Sequence, residues 1–354
     1  MESLYVEADE PSLYERRIKL ALQYVTKLKS NPTNPAYKCI FHPDYVELFT
    51  NHPKTISPLG IRIQDHLTAA HINLSHIAVT QLLQIPPWQL IRPTVRFDLT
   101  VHKKSDTNQL VYQQAFLQLR DKFPDHRHFY TDGSKDGGSV AAAAVSSGTL
   151  STSRLPDDSS IFTAEAKAIL LALRHIGKAK YKSFIIFSDS LSCLQAIQGC
   201  KTDHPIIKQV LELHEAISLS QYDIIFCWLP GHVGIRGNTL ADSAAKAALN
   251  QNISPFKIPY SDFKPAIKTY IKSLCQTRWS TQQNNKLFFI QPKLGYSTLS
   301  YYSRHEAVVL RRCRIGHSHL THSFILKGED QPQCIPCQGP LTIKHFCWTA
   351  LILP

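Results

Sequence analysis

The sequence predicts an α/β fold in which a mixed five-stranded sheet is flanked by helices, with mostly helical N- and C-terminal extensions. Three observations carry this expectation. Strand-like and helix-like stretches follow one another through residues 126–250 in the order β-β-β-α-β-α-α-β-α. Phe184-Ile185-Ile186-Phe187 is a continuous apolar run, as a parallel strand covered on both faces should be. Ala164, Ala168, Leu171 and Ala172 fall on one helical stripe.

Each element has a local reason. His128-Phe129-Tyr130-Thr131-Asp132 is aromatic and β-branched and stops at Gly133-Ser134, which reads as a short strand and turn. The small-sided run at 140–145 suits a tightly packed central strand, and a third strand at 149–154 completes an antiparallel meander. Helix 163–176, strand 183–188, helices 190–199 and 205–218, strand 222–228 and helix 239–249 follow. Upstream, apolar positions recur every three or four residues from Leu13 to Leu28, and Pro32, Pro35 and Pro43 then interrupt the helix. Residues 61–124 alternate short apolar runs with Pro86-Pro87 and Pro93, fitting one or two helices and then extended chain, with a helix from Leu110 to Phe123. This stretch reads equally as a poorly packed linker or a small domain. No internal repeat and no low-complexity tract is present.

The chain has 354 residues and a formal charge of +12, from 39 basic and 27 acidic side chains. The surplus is uneven. Residues 125–250 hold 12 of each sign, whereas residues 251–354 hold 13 basic and 4 acidic. A basic segment beside a neutral unit suits a phosphate-backbone partner, although solvated lysines alone would also produce it. Nine cysteines are scattered along the chain, no signal-peptide pattern follows Met1-Glu2-Ser3, and no apolar run has membrane-spanning length. The expectation is a reducing intracellular compartment, nucleus or cytoplasm, without disulfides or a membrane partner.

Four acids stand where strands and helices would hold them still: Asp132, Glu165, Asp189 and Asp242. Hard oxygen donors gathered at one end of a sheet would bind Mg²⁺ or Mn²⁺, which prefer carboxylate and water. Taken singly, Glu165 and Asp189 read equally as helix-start acids. Asp132 is different, since an acid in an apolar strand is costly unless paired or bound to a cation.

Tyr130-Thr131-Asp132-Gly133-Ser134, Thr163-Ala164-Glu165, Ser188-Asp189-Ser190, Trp228-Leu229-Pro230-Gly231-His232 and Gly237-Asn238-x-x-Ala241-Asp242 follow in that order. In this the chain resembles type 1 ribonuclease H as found in non-LTR retrotransposon polyproteins. The resemblance implies a ribonuclease H-like fold and hydrolysis of the RNA strand of RNA–DNA hybrids. It further implies two Mg²⁺ (or Mn²⁺) ions held by Asp132, Glu165, Asp189 and Asp242, which activate a water and stabilise the leaving oxygen. It makes His232, in a loop with three glycines, the histidine that assists proton transfer and product release. Gly133, Ser134, Lys135 and Thr163 are the expected substrate contacts; Asn238 either contacts the substrate backbone or caps the following helix. The alternative is a nucleic-acid-binding module that keeps the fold without turnover.

By the same resemblance residues 1–124 are the connector that follows a reverse transcriptase, 125–250 the ribonuclease H domain, and 251–354 a basic tail. Lys264, Lys268, Lys272, Arg311, Arg312 and Arg314, with Tyr270 and Trp279, offer phosphate contacts and stacking surfaces there. The tail's end resembles the cysteine–histidine segment of such polyproteins, and the rest of a polyprotein is an expected partner. Cys334-x-x-Cys337 has zinc half-site spacing. His345 and Cys347 would complete a Zn²⁺ site, although their separation of two is irregular and equally suits a degraded motif.

Overall fold

The computed structural model describes residues 2–52, 55–80, 86, 88–101, 106–201, 203–295, 302–335, 337–343 and 345. It separates into two compact units, one of residues 23–266 and one of residues 1–22 with 267–354. These cuts differ from the expected boundaries after 124 and 250. Residues 23–124 and 251–266 belong to the unit that holds the sheet, and residues 1–22 to the other.

The larger unit is a mixed α/β sheet with helices on its faces, as expected, and it has six strands where the sequence suggested five. They are β1 (Thr94–Arg96), β2 (Arg127–Asp136), β3 (Ser139–Ser146), β4 (Thr149–Leu155), β5 (Ser183–Ser188) and β6 (Asp223–Trp228), in the order β1-β6-β5-β2-β3-β4. β2, β3 and β4 form the antiparallel meander, and β5, β6 and β1 continue in parallel from β2. The extra strand pairs Val95 with Phe226 at the edge of β6. It follows Pro93, which restricts the residue before it to extended backbone and cannot itself join a ladder from the interior.

The helices used below are α1 (Leu13–Lys29), α2 (Gln109–Asp121), α3 (Ile161–Ile176), α4 (Leu191–Gln198), α5 (Pro205–Leu219), α6 (Arg236–Ala248), α7 (Lys264–Ser280) and α8 (Arg304–Ile315). Alternation along β5 explains its continuous apolar run. Phe184 and Ile186 join a cluster with Ala164, Ala168, Ala172, Leu194 and Val210 from α3, α4 and α5. Ile185 and Phe187 face the other way, onto Tyr112, Phe116 and Leu119 of α2. Both faces are therefore core, which fixes β5 at the centre of the sheet.

β3 is fully buried from Val140 to Ala144. Its alanines let layers approach closely on both sides, and Gly133 in the paired strand extends this. A β-carbon on Gly133 would meet the Glu165 backbone nitrogen at 2.8 Å, so only glycine allows α3 to lie this near β2.

The smaller unit is built differently. Val6, Trp279 and Leu287 form its apolar cluster, and the Trp279 indole N–H donates to the Gln291 carbonyl at 2.8 Å. Two buried acids are neutralised by arginines: Glu15 by Arg278 at 3.0 Å and Glu7 by Arg314 at 2.6 Å. Among the described residues no helix is long and apolar enough to cross a membrane.

Candidate active site

Three carboxylates meet at one end of the sheet. Asp132 lies on β2, Asp189 follows β5, and Glu165 projects from α3; each offers an oxygen within 4.8 Å of the other two. Parallel pairing of β2 with β5 places Thr131 opposite Ser188, so the next residue of each strand is an acid at the same level. Glu165 stands in the second turn of α3, since the helix begins at Ile161 with Ser160 as its cap. This corrects the first-turn placement expected from sequence: Glu165 is too far along to cap the helix, and it faces the other acids.

Burial makes the trio electrostatically expensive. The Asp132 carboxyl is pushed up to about 7 by desolvation first and then by the charges of Asp189 and Asp242. Glu165 is held well above the ordinary carboxylate range by its burial, followed by Asp189 and Asp132. Asp189 is also raised by burial, but the Asn238 side chain donates to it and positive charge on His232 draws it back down. The backbone N–H of Gly133 serves both Asp132 and Glu165. One oxygen of Glu165 is buried with no hydrogen-bond partner.

An orphaned carboxylate oxygen amid two further acids is what a hard divalent cation would satisfy. The residues present therefore fit Mg²⁺ or Mn²⁺. Asp242 departs from expectation. It lies outside the close trio and is bound by Lys246 at 2.8 Å, one helical turn along α6. It acts on Asp132 and Asp189 through its charge.

The loop between β6 and α6 carries His232 exposed at its tip, with left-handed backbone at φ 60°. Its flanks are anchored. Val233 and Ile235 are buried, and Gln113 of α2 donates to the Val233 carbonyl at 2.9 Å. Gly231 passes so near Asp189 that a β-carbon would lie 2.5 Å from the carboxylate. Trp228 Nε1 donates to the Asp189 carbonyl at 3.1 Å, which ties the acid to β6.

The expected substrate contacts divide. Ser134 and Lys135 line a cavity of about 530 Å³ together with Lys246 and Asn250. Gly133 is committed to the carboxylates. Thr163 is 0% exposed and its backbone N–H is taken by Ser160, so its side chain meets no groove; this corrects its assignment as a contact. Asn238 is likewise buried and donates to Asp189; it lies inside α6 beyond the Ile235 cap, which corrects the capping role.

Two residues escaped the sequence reading. Lys246 lay within reach of it, since an acid followed four residues later by a lysine is a helical ion pair. Asp262 did not. Its carboxylate accepts from the Ser160 N–H at 3.0 Å and the Ser160 hydroxyl at 2.9 Å, across 102 residues.

A second cluster lies in the other unit. Cys334, Cys337 and His345 bring their donor atoms within 4.8 Å of one another. Cys347 lies outside the described residues.

Residues 124–250 match the model of the RNase H family, so an RNase H domain occupies the stretch that carries the three carboxylates, His232 and Asp242. The chain is also 31% identical over 147 residues to the Pol polyprotein of equine infectious anemia virus, strain Wyoming. The same identity and length hold for the Pol polyproteins of isolates 1369 and CL22 of that virus. Each match covers 40% of this chain and 12% of the polyprotein, so the chain spans about an eighth of the length of the curated relatives it matches.

Proposed function

We propose that this chain is a metal-dependent endoribonuclease that hydrolyses the RNA strand of RNA–DNA hybrids, derived from or part of a non-LTR retrotransposon polyprotein. The observation that carries the reading is the buried trio Asp132, Glu165 and Asp189 with its orphaned Glu165 oxygen. Asp132, Glu165 and Asp189 would hold Mg²⁺ or Mn²⁺, with Asp242 adding charge from α6. Two such ions, when bound, lower the pKa of an attacking water and stabilise charge at phosphorus.

The chain's own residues supply position and proton handling. Gly133 and Asn238 orient the carboxylates by donating hydrogen bonds to them. His232 stands exposed at the loop tip, where an imidazole can take or give a proton at the leaving oxygen. Ser134 and Lys135 are the groove contacts, and polar atoms there distinguish RNA through its 2′-hydroxyl.

The division into connector (1–124), catalytic domain (125–250) and basic tail (251–354) belongs to the same proposal, as do an intracellular site of action and nucleic-acid contact through the tail. Cys334, Cys337 and His345 are assigned to Zn²⁺. Similarity to part of viral Pol polyproteins supports a polyprotein context.

The test is incubation of the purified chain with a labelled RNA–DNA hybrid in Mg²⁺, beside Asp132→Asn. Cleavage by the parent alone is expected, with the variant at least about 1,000-fold slower, some 4 kcal/mol of barrier. Hybrid binding by both without cleavage by either would leave the turnover-free binding module as the correct reading.

A further inference from the structure

The basic residues of the smaller unit differ in their partners: Arg16 and Lys327 pair with exposed acids. Arg278, Arg311 and Arg314 are committed to buried acids, the first to Glu15 and the other two to Glu7. Arg312 and Lys286 have no carboxylate partner among the described residues. Both are exposed, and they line one cavity of about 540 Å³ with His317, Asn285 and Ser3.

Leu4 and Ile315 complete the lining, and no acid is part of it. Asn285 Oδ1 already accepts from the Leu287 N–H at 3.0 Å and the Ser3 hydroxyl at 3.0 Å, which leaves its amide nitrogen as the side chain's remaining hydrogen-bonding group. His317 stacks on His322 with ring centroids 4.2 Å apart. Both imidazoles are pushed down, by burial first, with Lys286 among the further causes for each.

The end of α8 accounts for part of the arrangement: Gly316 caps it by donating its N–H to the Arg312 and Cys313 carbonyls, and Lys286 Nζ donates to the Gly316 carbonyl at 3.5 Å. A helix C-terminus carries roughly half a negative charge. Two permanent cations exceed that, and the surplus favours an anion with several acceptor oxygens. Arg312 offers a planar fork and Lys286 a point charge, the pair of donor types that suits phosphate.

We propose that the cavity lined by Lys286, Arg312 and His317 is a phosphate-binding site, the phosphate belonging to a nucleic-acid strand or to free phosphate. The inference rests on the reading of the basic tail as a nucleic-acid contact and is independent of hybrid cleavage. It also divides the tail's arginines, giving the anion to Arg312 while Arg311 and Arg314 hold the fold.

The experiment uses the full chain, a short labelled single-stranded oligonucleotide followed by fluorescence anisotropy over a range of salt, and inorganic phosphate titrated against the imidazole proton signal of His317. Arg312→Gln and Lys286→Gln are compared with Lys293→Gln, an exposed lysine outside the cavity that loses the same charge. Each cavity variant is expected to lose affinity about tenfold and to flatten the salt slope by about one, while Lys293→Gln stays within about twofold. A His317 shift with inorganic phosphate that Arg312→Gln lacks assigns a free anion; loss of oligonucleotide affinity without that shift assigns a strand. Equal losses in all three variants, or no loss and no shift, overturn the proposal. Hybrid cleavage measured in parallel separates the two readings, since its absence in the parent would sink the catalytic one alone.

Discussion

Among the described residues two clusters could hold a metal ion, and they reach the same closeness by opposite routes. Asp132, Glu165 and Asp189 come from two strands and a helix, and their placement is a by-product of a sheet whose centre is fully buried. Cys334, Cys337 and His345 lie within twelve residues, held by a local turn in which Gln338 N–H donates to the Cys334 carbonyl and Cys334 N–H to the Gly339 carbonyl, both at 2.8 Å. The first site is organised by the core whether or not an ion is bound. In the second, Ile335 between the two cysteines is 93% exposed while His345 is buried, and a bound ion would add order to the turn. Long-range topology gives a catalytic site its rigidity; a short loop relies on its ligand.

The sharpest way to probe the core-built site is to change what surrounds the acids and leave the acids alone. His232→Ala should slow hybrid cleavage by about 100-fold, the lower end of general acid–base catalysis, with Mg²⁺ requirement and hybrid affinity unchanged. Single-turnover kinetics at saturating Mg²⁺ would measure this, and an unaltered rate would make His232 a solvent-facing loop residue. A smaller effect is expected from Asn238→Ala. Removing the donor to Asp189 should raise the Mg²⁺ concentration for half-maximal rate about tenfold, with the melting temperature of the sheet unit preserved within a few degrees. A fall in melting temperature with no change in Mg²⁺ dependence would show Asn238 to be structural.

The smallest effect on cleavage belongs to the tail. Cys337→Ser should abolish binding of one equivalent of zinc, read by metal analysis after dialysis, while hybrid cleavage changes by less than about twofold. Zinc retained by the variant, or cleavage lost with it, would break the contrast between a self-organised site and a ligand-organised one.

Much of this arrangement could be read from the residues. The apolar run of β5, the alanines of β3 and the acid closing β2 are local signals, and their periods fixed the sheet and three of the acids. What escaped was non-local or too short. β1 is three residues long and offers no period to read. The start of α3 was misplaced by two residues although Ser160 and Thr163 carry a cap spacing, and this concealed the burial of Thr163. Asp242 is grouped with the other acids by its motif, whereas the structure pairs it with Lys246 outside the close trio. The helix at 110–123 was legible, but the face it covers was not, because that pairing is non-local. Leu99, Tyr112 and Phe116 are core residues of that face.

Asp262 has a consequence for where this unit ends. The match to the RNase H family ends at residue 250, yet the chain beyond it returns three times to the sheet unit. Ser254 N–H donates to the Arg154 carbonyl at 2.8 Å, Ile258 exchanges hydrogen bonds with the 76–78 segment, and Asp262 caps α3 through Ser160. The last of these closes the helix that bears Glu165. A cut at residue 250 would leave the Ser160 cap but remove Asp262's bonds to it together with the pairing of Ile258 to the 76–78 segment. The unit built around the sheet is therefore longer at both ends than the stretch 124–250 that matches the family.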